Sequence, residues 1–141
     1  MRVTFGEVDT FGDFATLIDP RFVPDLEVVS FAAEKALKAW NRGERISRSL
    51  ALEVLLYYAA TRQIREAVKL GAKGGRAVIV VIDEEEFSKR NFRELDFKPE
   101  IDERAIMEHY GITEEELKVA GREKLSLLIR ERIALFAAFK E

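Results

Sequence analysis

Arginines recur through one stretch of this chain at spacings that suit an anion. Arg42, Arg45 and Arg48 fall every third residue, and Arg62, Arg65, Lys69, Lys73 and Arg76 follow, the first three of these at near-helical intervals. Residues 35–76 hold ten basic side chains and three acidic ones, inside a chain whose formal net charge is −3. Two adjacent elements sharing one positive face would suit phosphate contacts, and Ile64, Tyr57 or Tyr58 would offer apolar or stacking surface to unpaired bases. The same residues also read as solvated helix sides that pair with the acidic remainder, and charge alone leaves both readings open.

Other reactive side chains are sparse. Asp83-Glu84-Glu85-Glu86 follows the apolar run Ala77 to Ile82. Carboxylates at the carboxyl end of a central strand can hold magnesium. Four acids there equally well compensate the positive end of a helix. His109, the single histidine, has no sequence signal placing a nucleophile and an orienting acid beside it and reads as a helix-surface residue. Gly74-Gly75 precedes a strand instead of joining a strand to a helix, and neither GxGxxG nor GxxxxGK[ST] occurs. With no cysteine, disulfides, thiolate catalysis, Fe–S clusters and the common structural zinc sites are excluded. No cofactor, metal ligand set or catalytic residue is expected.

The elements that must position the basic stretch follow from periodicity. Residues 2–8 alternate as a strand interrupted at Gly6, and a short helix or turn ends near Asp19-Pro20. Leu26 to Val29 reads as a second strand, with Ser30 capping a helix through Ala33, Leu37 and Trp40 that Gly43 ends. Ser47 or Ser49 starts a helix, Leu50 to Tyr58, that is apolar all round apart from Glu53 and must therefore be buried. Thr61 caps a third helix, Gln63 to Leu70, which Gly71 ends in the left-handed conformation, so Arg62-Gln63-Ile64 lies at a helix–helix junction. Ala77 to Ile82 is a central strand covered on both faces. Residues 96–101 form a connection or an edge strand, and two short helices run from Asp102 to Tyr110 and from Thr113 to Ala120. Gly111 separates them, and Thr113 with Glu116 forms a capping box.

A final helix from Arg122 to Phe139 carries a wide apolar strip of Leu125, Leu128, Ile129, Ile133, Phe136 and Phe139, suited to the core. On its other side Leu127, Ala134 and Ala138 form a narrow seam flanked by Arg130 and Glu131, either a partner surface or ordinary exposed residues.

With 141 residues and 48% apolar content, the chain is expected to be one domain over 1–141. Its fold class is α/β (α+β), a small mixed sheet of about three to five strands packed with about six to eight helices. No run of about 18 apolar residues is present, so a soluble, cytoplasmic protein without membrane contact is expected. High charge with one glutamine and two asparagines fits a thermophilic source.

The segment Ser47 to Asp83, SRSLALEVLLYYAATRQIREAVKLGAKGGRAVIVVID, closely resembles the small kinase-binding accessory subunits of the KEOPS (EKC) complex, the TPRKB-like family. Leu52, Glu53, Leu55, Leu56, Tyr57, Ala59, Arg62, Gln63, Ile64 and Ala67 stand at the positions of the family's LExLLYxAxxRQIxxA core. Glu131-Arg132-Ile133-Ala134-Leu135 is similar to its C-terminal helix. Element order agrees along nearly the whole chain, although residues 1–30 and 84–120 match only in pattern.

The resemblance implies a non-catalytic subunit that docks on a small atypical kinase/ATPase, stimulates it, and meets the other KEOPS subunits indirectly. That complex makes N6-threonylcarbamoyladenosine beside the tRNA anticodon, and the subunit recruits tRNA through its unpaired 3′ CCA end. By the same resemblance Arg62, Gln63 and Ile64 form the tRNA site, with Arg45, Arg48 and Arg65 as supporting phosphate contacts. Helix capping and packing beneath the junction are the structural alternatives for Gln63 and Ile64. Leu127, Ala134 and Ala138 are expected to face the kinase. The other functional classes are an independent RNA-binding protein and a small magnesium-dependent enzyme.

Overall fold

The computed structural model describes residues 1–10, 12–72 and 74–139. Lys73, one of the expected cations, lies outside the described residues. Four strands, β1 (Arg2–Val8), β2 (Ala15–Ile18), β3 (Gly75–Val81) and β4 (Phe92–Glu94), make one sheet in the order β2-β3-β1-β4, and every pairing is antiparallel. Seven α-helices accompany it among the described residues: α1 (Leu26–Asn41), α2 (Leu50–Ala59), α3 (Ile64–Ala67), α4 (Glu84–Ser88), α5 (Glu103–Tyr110), α6 (Glu114–Ala120) and α7 (Leu125–Phe139). The fold class is the expected α+β. No helix among the described residues is long and apolar enough to cross a membrane.

β3 is the central strand, paired with β1 from Arg2↔Val81 to Val8↔Gly75 and with β2 from Ala15↔Val81 to Ile18↔Val78. Its alternate side chains enter two cores. Val78 and Val80 join the main one, under α1 and α2, while Ala77, Ile79 and Val81 meet Val8, Phe14, Leu17 and Phe87 on the other face. Continuous β-branched burial on both faces explains why this strand reads as an unbroken apolar run. Gly6 does not interrupt β1: β4 approaches so closely that a Cβ there would sit 2.2 Å from the Arg93 carbonyl oxygen.

Between β1 and α1 the structure differs from the expectation. The second strand is Ala15–Ile18, not Leu26–Val29. Asp25 accepts a hydrogen bond from the Val28 N–H at 2.8 Å and so starts α1 five residues before Ser30, which lies inside the helix. An N-cap carboxylate outweighs the weak strand preference of two valines. α1 then buries Val28, Val29, Ala32, Ala33, Ala36 and Ala39, a face of mostly small residues that lets α2 pack closely. Residues 96–101 are a connection, and the edge strands are β2 and β4.

α2 starts at Ser49, whose hydroxyl accepts from the Leu52 N–H at 3.1 Å. It is buried against α1, β2 and α7, with Thr16 donating to the Ala51 carbonyl at 2.7 Å. Tyr57 and Tyr58 are completely buried and so cannot stack on bases. Tyr57 packs edge-on against Phe136 of α7, and the Tyr58 hydroxyl donates to the Phe22 carbonyl at 2.7 Å. Each such side chain contributes about 2 kcal/mol or more through burial, which is why the helix is apolar all round.

Phe139 also departs from expectation. It is 69% exposed, because α7 continues past Phe136, the last side chain of the strip that reaches the core.

Candidate functional site

The end of α2 sets the Arg62-Gln63-Ile64 junction. Ala60 takes the left-handed conformation (φ 53°, ψ 46°), while the Thr61 N–H bonds the Leu56 carbonyl and the Ala60 N–H bonds that of Tyr57. These are the paired closing bonds of a Schellman motif, a role usually given to glycine. The expected left-handed Gly71 is extended (φ −74°, ψ 144°), held there by its bridge to Ile18. Thr61 accepts from the Gln63 N–H at 3.1 Å, and Gln63, not Thr61, is the N-cap residue of α3.

The junction faces outward. Arg62, Gln63, Ile64 and Arg65 are all exposed, and the Gln63 side chain makes no capping hydrogen bond. Ile64 is 47% exposed, with Val68 one helical turn on at 46%, so packing does not consume either side chain. Val68 escaped the sequence reading, although its i, i+4 relation to Ile64 marks it. Lys69 is paired with Glu66 at 3.0 Å, Arg42 with Glu44 at 2.9 Å, and Arg76 approaches Glu100 at 4.0 Å.

Arg45 and Arg48 lie before α2, whereas Arg62 and Arg65 follow it. The intervening ten residues advance about 15 Å along the axis. The cations thus form two groups at opposite ends of one buried helix. Glu53, the only charge in α2, fixes the first group: its completely buried carboxylate accepts from the Ile46 N–H (2.9 Å), the Ser47 N–H (2.9 Å) and the Ser47 hydroxyl (2.8 Å). Arg45, exposed, lies over the Trp40 ring at 4.0 Å, and its Nε donates to the Trp40 carbonyl at 3.3 Å.

His109 is half-buried, with Nε2 2.8 Å from the Ala59 carbonyl at the end of α2. Burial lowers its pKa from the ordinary 6.5, against the opposing effects of the Ala59 carbonyl and Glu66. It braces the junction from α5. Asp83 caps α4 by accepting from the Glu86 N–H at 3.1 Å, while Glu84 pairs with Arg2 and Glu86 with Lys89 and Arg90. Among the described residues no cluster of three or more His, Cys, Asp or Glu side chains is arranged to hold a metal ion.

On α7, Leu127 and Ala138 are exposed and Ala134 is partly so. Leu135 and Phe139 add exposed apolar surface next to this seam, and Arg130 reaches across to the Phe31 ring of α1 at 4.2 Å. Arg132, in contrast, points inward to the α5–α6 turn. It binds both Glu116 oxygens at 2.9 Å and donates to the Tyr110 and Gly111 carbonyls. Glu116 is therefore turned away from Thr113, which keeps only the Glu116 N–H half of the expected capping box.

The described residues make a small α+β fold with cationic and apolar side chains exposed at both ends of α2 and along α7. The chain belongs to the family described as kinase binding protein CGI-121, whose sequence model it matches over residues 8–136. A search of curated proteins finds no match. Kinase binding is thus the family's described property.

Proposed function

We propose that this chain is a non-catalytic regulatory subunit of the KEOPS tRNA-modifying complex, working in the cytoplasm as one domain over residues 1–141. It binds and stimulates the complex's small kinase/ATPase and recruits tRNA through the 3′ CCA end for N6-threonylcarbamoyladenosine synthesis. The outward-facing Arg62-Gln63-Ile64-Arg65 junction is the observation that carries the tRNA part. Guanidinium groups beside an exposed apolar side chain suit the phosphates and bases of a single strand, whose bases are open to contact as those of a duplex are not. Arg45 and Arg48 contact the strand from the other end of α2.

The family's described kinase binding supports the partner, and the exposed Leu127, Ala134 and Ala138 seam on α7 is its docking surface, widened by Leu135 and Phe139. Co-expression with the cognate kinase tests this reading. The wild-type chain should co-purify with the kinase and raise its ATPase activity, whereas Leu127→Glu with Ala138→Glu should abolish co-purification while melting like wild type. Retained co-purification by that variant would remove the α7 assignment. RNA binding without any effect on the ATPase would favour an independent RNA-binding protein.

A further inference from the structure

We propose that Trp40 and Arg45 form a stacking platform for an unpaired RNA base, separate from the Arg62-Gln63-Ile64 junction. The inference rests on the RNA-binding reading above and assigns Arg45 a different part in it, as a flat surface and not only a phosphate contact. Trp40 enters as a new site residue.

Three features build the platform. The Arg45 guanidinium carbon lies 4.0 Å from the centre of the Trp40 ring, and the Nε hydrogen bond to the Trp40 carbonyl holds the group in place. Glu53 fixes the backbone immediately after Arg45 through the Ile46 and Ser47 N–H groups, so the loop bearing the guanidinium is tied to a buried helix. Arg45 remains exposed, and Arg48, also exposed, follows three residues later as a partner for the flanking phosphate.

Aromatic rings and arginine guanidinium planes are the surfaces on which proteins stack unpaired bases. A guanidinium already resting on an indole loses little freedom when a base settles on its outer face, which reduces the ordering cost of binding. The platform lies before α2 and the junction after it, about 15 Å apart along the helix axis, so one single strand would meet the stacking platform at one end and the exposed Ile64 with its cations at the other.

Trp40 is the chain's single tryptophan, so its emission reports on this location alone. The test titrates the full chain with a single-stranded oligoribonucleotide of about ten nucleotides, within the usual site sizes. Anisotropy of end-labelled RNA gives affinity, and Trp40 emission is followed with unlabelled RNA. Wild-type protein should bind with a change in Trp40 emission. Arg45→Lys, which keeps the charge and loses the plane, should bind about tenfold more weakly with an unchanged salt dependence. Binding by wild type with no change in Trp40 emission, and with Arg45→Lys equal to wild type, would overturn the platform and leave the RNA reading intact. Absence of RNA binding by wild type in the anisotropy assay would overturn the RNA reading and the platform with it.

Discussion

Glu53→Ala should loosen the loop that bears Arg45 and Arg48 without unfolding the protein. The substitution strips the acceptors from the Ile46 and Ser47 N–H groups and the Ser47 hydroxyl, and leaves a small cavity beneath that loop. Ile46 and Ser47 are only partly buried, so each orphaned N–H costs near the lower end of the usual range. Two such losses and the vacated volume come to about 3 kcal/mol. For a chain of this size the melting temperature falls by roughly 10 °C. Total stabilities of about 5–15 kcal/mol leave the variant folded at room temperature. Glu53→Gln should lie between, since it keeps one carbonyl acceptor but points an amide N–H2 at a backbone donor. Thermal unfolding followed by circular dichroism, with Trp40 emission as a local probe, checks the order. A Glu53→Ala variant that melts within a degree of wild type would refute the assignment of Glu53 as the loop's anchor.

Ala60→Gly should raise stability in urea by about 0.5–1 kcal/mol, because relief of the left-handed backbone exceeds the extra entropy of glycine in the unfolded chain. Tyr58→Phe leaves the Phe22 carbonyl without its hydroxyl donor and should cost about 1–2 kcal/mol in the same assay. His109 has a folded pKa depressed mainly by burial, so the unfolded chain binds the proton more readily. The stability it protects is complete above the unfolded value of 6.5 and is lost as pH falls through the lowered folded value. His109→Gln should flatten that part of a melting-temperature profile, and an unchanged slope would show that His109 does not titrate with unfolding.

Much of the fold was legible because its strongest signals are local and redundant. The all-round apolar α2, the unbroken β3 run and the caps at Ser49, Asp83, Asp102 and Thr113 each state their structure within a few residues. Leu26 to Val29 misled because β-branched side chains in a buried helix resemble a short strand, and the deciding signal was the carboxylate of Asp25 just before them. Residue type favours a left-handed Gly71 after the third helix, but the bridge to Ile18 holds it extended, and it is α2 that closes left-handed, at Ala60, without a glycine.

At the candidate site, the exposure of Arg62 to Arg65 follows from α3 starting just outside the core. The separation of Arg45 and Arg48 from them was also implicit once α2 was read as one buried helix. What spacing could not reveal was tertiary: the burial of both tyrosines, the Arg45–Trp40 stack, and the loss of Lys69, Arg42 and Arg76 to acidic partners. Phe139 shares the core strip's helical angle, yet the helix has outrun the domain by that turn.

The most direct test of the proposed role compares binding of intact tRNA and tRNA trimmed of its terminal CCA, with wild-type chain and with Arg62→Glu, at one fixed salt concentration. Trimming and the substitution should each weaken binding to a similar degree, and trimming should cost the variant little more. Equal binding of intact and trimmed tRNA by the wild-type chain would contradict the proposed role.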